Sequence, residues 1–326
     1  MMEGTAIHND STTVLGDVTF QTAPMPTLDP DLYRLSSEEA AFFKAQIGID
    51  DDEDLKRHIL EVQAKAYKIV PYPCIHEFYF LRYVSYRSMA SESTITRSTV
   101  LSINISSYPV YEHILKLGRE RSDAVLLDLG CCFGVDARKA AADGFPAKNI
   151  IASDINNEFL ELSHELFRTT PTSYAACLLP GDVFDPAFLS IAARPNDVSS
   201  ALAIDLSSLK SLNPLHGRIS AINVARFFHL FTEDKQLHLA RALAGLLSAQ
   251  PGSVICGFHI GSPEKGMAAT VLGPEHRLFA HSPKSWTSLW DGEVFEKGSV
   301  KVETELVKLV TRGVERFMMG WSVVRL

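Results

Sequence analysis

Residues Ala124–Gly134 read AVLLDLGCCFG, and twenty residues after Gly134 a second apolar run, IIASD, closes on Asp154. An apolar strand ending in Asp128, a turn through glycines into a helix, and a second strand ending in another acid describe the nucleoside-binding crevice of a doubly wound α/β sheet. Gly130 and Gly134 carry no Cβ, so the main chain turns tightly there and a ligand can lie against bare backbone. The helix that starts near Val135 or Asp136 points its unpaired N–H groups and positive dipole end at the crevice, which favours a carboxylate. Asp154, at the carboxyl end of its strand, offers two acceptor oxygens to the two hydroxyls of a ribose.

Two rival nucleotide sites fail on the residues present. Counting a dinucleotide G-x-G-x-x-G from Gly130, the second and third glycine positions hold Cys132 and Val135. A phosphate-cradling loop needs Gly-Lys-Ser or Gly-Lys-Thr, whereas Gly134 is followed by Val135 and Asp136, whose charge repels phosphate. An ordinary strand, turn and helix whose glycines serve only the turn is the plainer alternative. The second acid and the order of the later elements weigh against it.

The chain has 326 residues, 46% of them hydrophobic, enough for one α/β domain with an appendage. Its net charge of −8 and the lack of a Lys/Arg-rich run argue against a nucleic-acid or anionic-membrane partner and towards a small, largely apolar one. The first seventeen residues, MMEGTAIHNDSTTVLGD, show no basic segment followed by an apolar one, and no eighteen apolar residues run together. The expectation is a cytoplasmic protein without a membrane partner. The five cysteines are odd in number and lack paired C-x-x-C spacing, so they read as reduced core residues, with no metal.

Residues 1–30 are polar, rich in Thr, Ser and Pro, and are expected to form a flexible leader. Residues 31–118 read as an N-terminal helical lid. Ser36 and Glu39 make a capping box, the acidic run 50–54 opens a second helix that ends before Pro71, and the aromatics Tyr72, Phe78, Tyr79, Phe80, Tyr83, Tyr86, Tyr108 and Tyr111 pack helices or line a pocket. In residues 119–326 strands and helices alternate. A helix holds Phe159, Leu162 and Leu166; a short strand from Tyr174 leads into GDVFD; strands follow at Ile219–Val224 and Ser253–His259, with a helix capped by Thr232 between them. Ser282 and Pro283 open the helix SWTSLW, and VKVETEL and RFMMGWSVV form a closing antiparallel pair.

This order resembles a class I S-adenosylmethionine-dependent methyltransferase. Within that class LDLGCCFGVDARKAAADGFPAKNIIASDI, GDVFD and FFHLF resemble the fungal methyltransferases that decorate polyketide–terpenoid hybrids. The doubled cysteine is the closest point of likeness; most of the class has glycine where Cys132 stands. The resemblance implies a Rossmann-like, mostly parallel seven-stranded sheet with a C-terminal antiparallel hairpin, and S-adenosyl-L-methionine as cofactor. It also implies that Asp128 and Gly130 hold the amino-acid part, with Gly134 completing the turn and Cys131 and Cys132 also binding the cofactor, and that Asp154 binds ribose with Ile155 on the adenine. Asp182, Val183 and Phe184 would then surround the adenine, and Asn223 and Val224 lie beneath the sulfonium.

Methyl transfer from a sulfonium is an in-line displacement that rewards alignment and dryness. A carboxylate acceptor needs no base; a phenol does, and His229 in RFFHLF is the candidate, ahead of His259 and His281. A histidine between Phe228 and Leu230 reads equally well as a hydrogen-bonded core residue. Phe133, Phe227, Met267, Trp286 and Trp290 are expected as substrate walls, because they follow strand ends or lie in the long connection after the fifth strand. Each is also explicable as an ordinary hydrophobe. The expected acceptor is a polyketide, terpenoid or aromatic acid or phenol, bound by a monomer or homodimer. A protein of this fold that binds the cofactor without methylating is the alternative.

Overall fold

The computed structural model describes residues 26–81, 105–191, 205–270, 273–311 and 314–326, with the backbone of a short hairpin at Thr12–Leu15 and Val18–Gln21. That hairpin lies within the stretch expected to be a structureless leader, whose remaining residues to 25, like Tyr83 and Tyr86, lie outside the described residues.

Seven strands form the central sheet: β1 Leu126–Leu129, β2 Ile150–Asp154, β3 Cys177–Pro180, β4 Ala221–Ala225, β5 Val254–Gly261, β6 Val300–Thr311 and β7 Val314–Arg325. Their spatial order is β6-β7-β5-β4-β1-β2-β3. The five strands from β5 to β3 run parallel, and β7 is antiparallel to both neighbours. The chain leaves β1 on one side for β2 and β3, then crosses to β4 on the other. That reversal splays the connections apart at the carboxyl ends of β1 and β4, where open α/β sheets hold ligands. Asp128 pairs in register with Ala152 on one side and Asn223 on the other.

Side chains alternate across the sheet with a period of two. Leu127, Leu129, Ile222, Val224 and Ile255 join one core with α6 (Glu233–Leu246) and α7 (Pro283–Trp290). Leu126, Ala152, Ala221, Val254 and Cys256 join the other, with α3 (Tyr111–Glu120) and α4 (Val135–Ala142).

A third core belongs to the N-terminal helices. In α1 (Ser37–Ile47) the Ser36 N–H donates to Glu39 Oε2 at 2.7 Å while Glu39 N–H donates to Ser36 Oγ at 3.2 Å, the reciprocal cap expected from S-x-x-E. Asp51 accepts from the Glu53 and Asp54 amides to start α2 (Asp52–Ile69). Phe43, Leu55, Ile59, Val62, Ile75 and Phe78 then pack on Phe133, Phe159 and Leu166, tying these helices to α4 and to α5 (Asn157–Leu166).

Several boundaries differ from the sequence reading. β3 starts at Cys177 because Tyr174 is drawn under Arg138, whose guanidinium sits 3.7 Å from its ring centre. Beyond β5 the long connection contains a further antiparallel hairpin, Gly266–Thr270 with Gly273–Ala280.

Candidate active site

The turn after β1 is built on left-handed backbone. Gly130, Cys132 and Gly134 have φ of 68°, 53° and 65°. The Gly130 and Cys131 amides donate to the Ser153 carbonyl at 2.8 and 3.1 Å, fastening the turn to β2. Cys132 carries a Cβ in a region that disfavours one. Its N–H donates to Asp154 Oδ2 at 2.9 Å, while Asp154 Oδ1 accepts from Asn156 N–H at 3.0 Å. The carboxylate expected to hold a ribose therefore also holds the glycine-rich turn in shape. Each oxygen keeps a further lone pair for a ligand hydroxyl.

Asp128, one residue before the end of β1, is almost completely buried, accepting from Ala137 N–H at 3.2 Å and from Asn223 Nδ2 at 2.8 Å. The same Asn223 amide donates to Asp136 Oδ2 at 3.1 Å, and Asp136 Oδ1 accepts from Ile105 N–H at 3.2 Å. Burial, then the neighbouring Asp136, push the Asp128 carboxyl well above its ordinary range; burial pushes Asp136 up to about 6.

Next along the sheet edge, Gly181 N–H donates to the Asp154 carbonyl at 3.0 Å, and exposed Asp182 accepts from Phe184 N–H at 2.9 Å. Phe184 meets Phe231 edge to face at 4.8 Å, and Phe231 meets Phe227 at 5.0 Å. The Phe227 ring lies over Gly130, where a Cβ would fall 2.6 Å from its Cδ2. A wall of three aromatic rings thus runs from the glycine turn to the GDVFD loop. Ile155 stands 63% exposed beside Asp154, an apolar surface for a flat ring to cover. Asp128, Asp154 and Asp182 occupy successive tips of β1, β2 and β3. This donor and acceptor set fits an adenosine with an amino-acid tail.

Other expected site residues are placed elsewhere. Trp286 and Trp290 have no exposed surface: Trp286 packs on Phe228 at 5.0 Å and Trp290 stacks on Trp321 at 5.7 Å, so both are core rather than substrate wall. Phe133 is equally buried, wedged between Phe80 at 4.8 Å and Phe159 at 5.5 Å, where it anchors the N-terminal helices. The side chains of Val183 and Val224 enter the core, leaving only their backbone to face a ligand. Met267 is 52% exposed on the added hairpin. Apolar spacing alone does not separate a wall from a core.

His229 lies past β4, its Nδ1 buried with no partner among the described residues. Burial, then Arg226, hold its pKa down to about 3. His259 accepts a 2.9 Å hydrogen bond from Trp321 Nε1, and burial keeps it neutral; His281 is lowered to about 4, chiefly by burial.

Arg226 escaped the sequence reading, and the aromatics it named near residue 72 were not assigned individual positions. Arg226, at φ 52°, holds its guanidinium 5.2 Å from the Tyr79 ring centre and 5.7 Å from that of Phe258. Tyr72, half-buried, feels the Asp154 charge, and Cys74 feels both Arg226 and Asp154. Tyr108 is buried close enough to Asp136 and Asp128 to feel both. The aromatic density from Tyr72 onward was the signal; which rings approach the sheet depended on docking. All five cysteines are free thiols, and no His, Cys, Asp or Glu cluster among the described residues is arranged for a metal. No helix among them is long and apolar enough to cross a membrane.

Residues 27–81 match the family model of the meroterpenoid methyltransferase N-terminal domain. The chain is 29% identical over 277 residues to the asnovolin E/chermesin D methyltransferase nvfJ of Aspergillus novofumigatus, covering 83% of each chain. It is 29% identical over 251 residues to the methyltransferase ausD of Penicillium brasilianum, covering 76% of this chain and 73% of that one. Among solved structures, an S-adenosylmethionine-dependent methyltransferase from Mesorhizobium loti aligns with a TM-score of 0.39 at 11% identity, over 68% of this chain and 100% of that chain.

Proposed function

We propose that this chain, an S-adenosylmethionine-dependent methyltransferase similar to fungal enzymes of secondary metabolism, methylates an oxygen of a small apolar natural product, a carboxylic acid in preference to a phenol. The observation that carries the reading is the row of strand tips. A left-handed glycine turn, acids at or just beyond the carboxyl ends of β1, β2 and β3, and an aromatic wall beside them follow one another along the same edge of the sheet. S-adenosyl-L-methionine, when bound, supplies a methyl group on a positively charged sulfur.

The chain's own part is alignment and exclusion of water. In this reading Asp154 fixes the ribose and Asp182 the adenine amine. Phe227 and Phe231 supply an apolar wall along which the acceptor is kept in line and dry. The preference for a carboxylate rests on the histidine. A base whose conjugate acid titrates at about 3 extracts little from a phenol, whereas a carboxylic acid arrives already ionised. Arg226, on the same segment, gives such an acceptor a fixed positive charge.

Calorimetric titration with S-adenosylhomocysteine tests the cofactor half, and absence of binding overturns it. Incubation with methyl-labelled cofactor and a panel of apolar carboxylic acids and phenols tests the rest. Base-labile labelled esters are the expected product; base-stable ethers overturn the acid preference. Binding without any transfer replaces the reading with that of a cofactor-binding protein of the same fold.

A further inference from the structure

We propose that Asp128 and Asp136, bridged by Asn223, form a two-carboxylate seat for the α-ammonium group of the cofactor's methionine part, with Asp136 as an additional cofactor-positioning residue. The proposal rests on the cofactor reading above and adds to it a residue in the first turn of α4.

The site is acceptor-rich. Asn223 spends its Nδ2 donors on the two carboxylates, at 2.8 Å to Asp128 and 3.1 Å to Asp136. Among the described residues the remaining donors to the pair are two backbone amides, Ala137 to Asp128 and Ile105 to Asp136. Asn223 Oδ1 and the Tyr108 hydroxyl are buried beside them with no partner among the described residues. The lone pairs of two carboxylates and an amide oxygen outnumber the donors that reach them among the described residues. The complement of such a pocket is a cation with several N–H groups. An ammonium carries three; a sulfonium carries none, so the tail nitrogen is the group the pocket selects. Asp128 is almost completely buried, while Asp136 and Gly130 both retain solvent-accessible surface.

The electrostatics agree with the geometry. Two neighbouring carboxylates largely shielded from water cannot both ionise readily without a counter-charge, and the pair accordingly retains protons. Arg226 lowers Asp136 but does not restore it to the ordinary carboxylate range, and Asp154 raises Asp128 further. The other titratable groups facing the pair are Tyr108, Tyr174 and the thiols of Cys131 and Cys256, all with raised pKa values and hence neutral. An arriving ammonium lowers the carboxyl pKa values, and a proton leaves the pair for solvent. Binding therefore tightens as pH rises through about 6.

The test compares S-adenosylhomocysteine with its des-amino analogue, which keeps the adenosine, the thioether and the carboxylate. For the wild-type chain, calorimetry between pH 5 and 7.5 in buffers of different ionisation enthalpy is expected to show proton release and tighter binding with rising pH for the first ligand alone. Asp136→Asn is expected to weaken S-adenosylhomocysteine roughly tenfold or more, the range of a charged hydrogen-bond partner, while leaving the des-amino analogue within about twofold. Equal weakening of both ligands makes Asp136 merely structural and overturns the proposal. So do identical pH profiles for the two ligands in the wild type, a measurement that decides the matter even if the variant fails to fold. If the wild type binds neither ligand, the cofactor assignment falls together with the proposal; if it binds both alike, only the ammonium seat falls.

Discussion

Asp154 serves two ends at once, shaping the turn through the Cys132 amide and facing the crevice with what remains of its lone pairs. Asp154→Ala is expected to weaken S-adenosylhomocysteine by about 1–3 kcal/mol, since a charged acceptor is lost and Cys132 is released from its left-handed conformation. Isothermal calorimetry reads the change, and unaltered affinity removes Asp154 from the site. Gly130→Ala combines a positive φ with a Cβ 2.6 Å from the Phe227 ring. It is expected to abolish cofactor binding, and the Gly130→Ala/Phe227→Ala double variant to recover part of it; failure of that recovery means the backbone, not the ring, sets the restriction. For His229→Ala the expectation is a rate within a few-fold of wild type on a carboxylic acid. A loss of about 100-fold, the scale of general-base catalysis, restores the histidine as base.

Among the elements, α7 shows where reading by position and reading by packing part. Placement after β5 suggested that Trp286 and Trp290 face a ligand, whereas the helix turns both into the core against Phe228 and Trp321. Trp286→Ala is therefore expected to cost about 3–5 kcal/mol of stability, seen as a lower urea midpoint, with KM unchanged wherever the chain remains folded. A raised KM at full stability returns the ring to the pocket. The caps were legible, because S-x-x-E at Ser36 and Ser-Pro at Ser282 encode their hydrogen bonds within three residues. The strand-tip acids were legible for the same reason, each closing its own apolar run. Phe133, Tyr72 and Arg226 were not, because their neighbours lie tens to more than a hundred residues away and only docking of the N-terminal helices brings them together. The hairpin after β5 escaped because its register breaks between Ala269 and Thr270, which blurs the alternation that marks a strand.

At the scale of the molecule, two buried charge clusters pull stability in opposite directions with pH. His229, His259 and His281 are held neutral, with His229 at about 3 and His281 at about 4 against an unfolded value of about 6.5. Their contribution is present above about 6.5 and is lost as pH falls towards 4 and then 3. The Asp128–Asp136 pair, raised instead, favours the fold at low pH and loses that contribution as pH climbs through about 6. Urea midpoints measured from pH 7 down to pH 4 are expected to fall, and His281→Gln to flatten that fall; an unchanged slope would place the acid sensitivity elsewhere. Overall topology was the most readable level of all, since strands that alternate with helices admit few arrangements once crossovers must be right-handed.

The position of β7 between β5 and β6 has a consequence for synthesis. Both neighbours leave the ribosome before it, so the free edge of β5 and the whole of β6 wait unpaired until residues 314–325 emerge. A nascent chain stalled at that stage exposes a long sticky border, and weak substitutions in β7 should surface as low yield and inclusion bodies well before they alter the turnover of the molecules that mature.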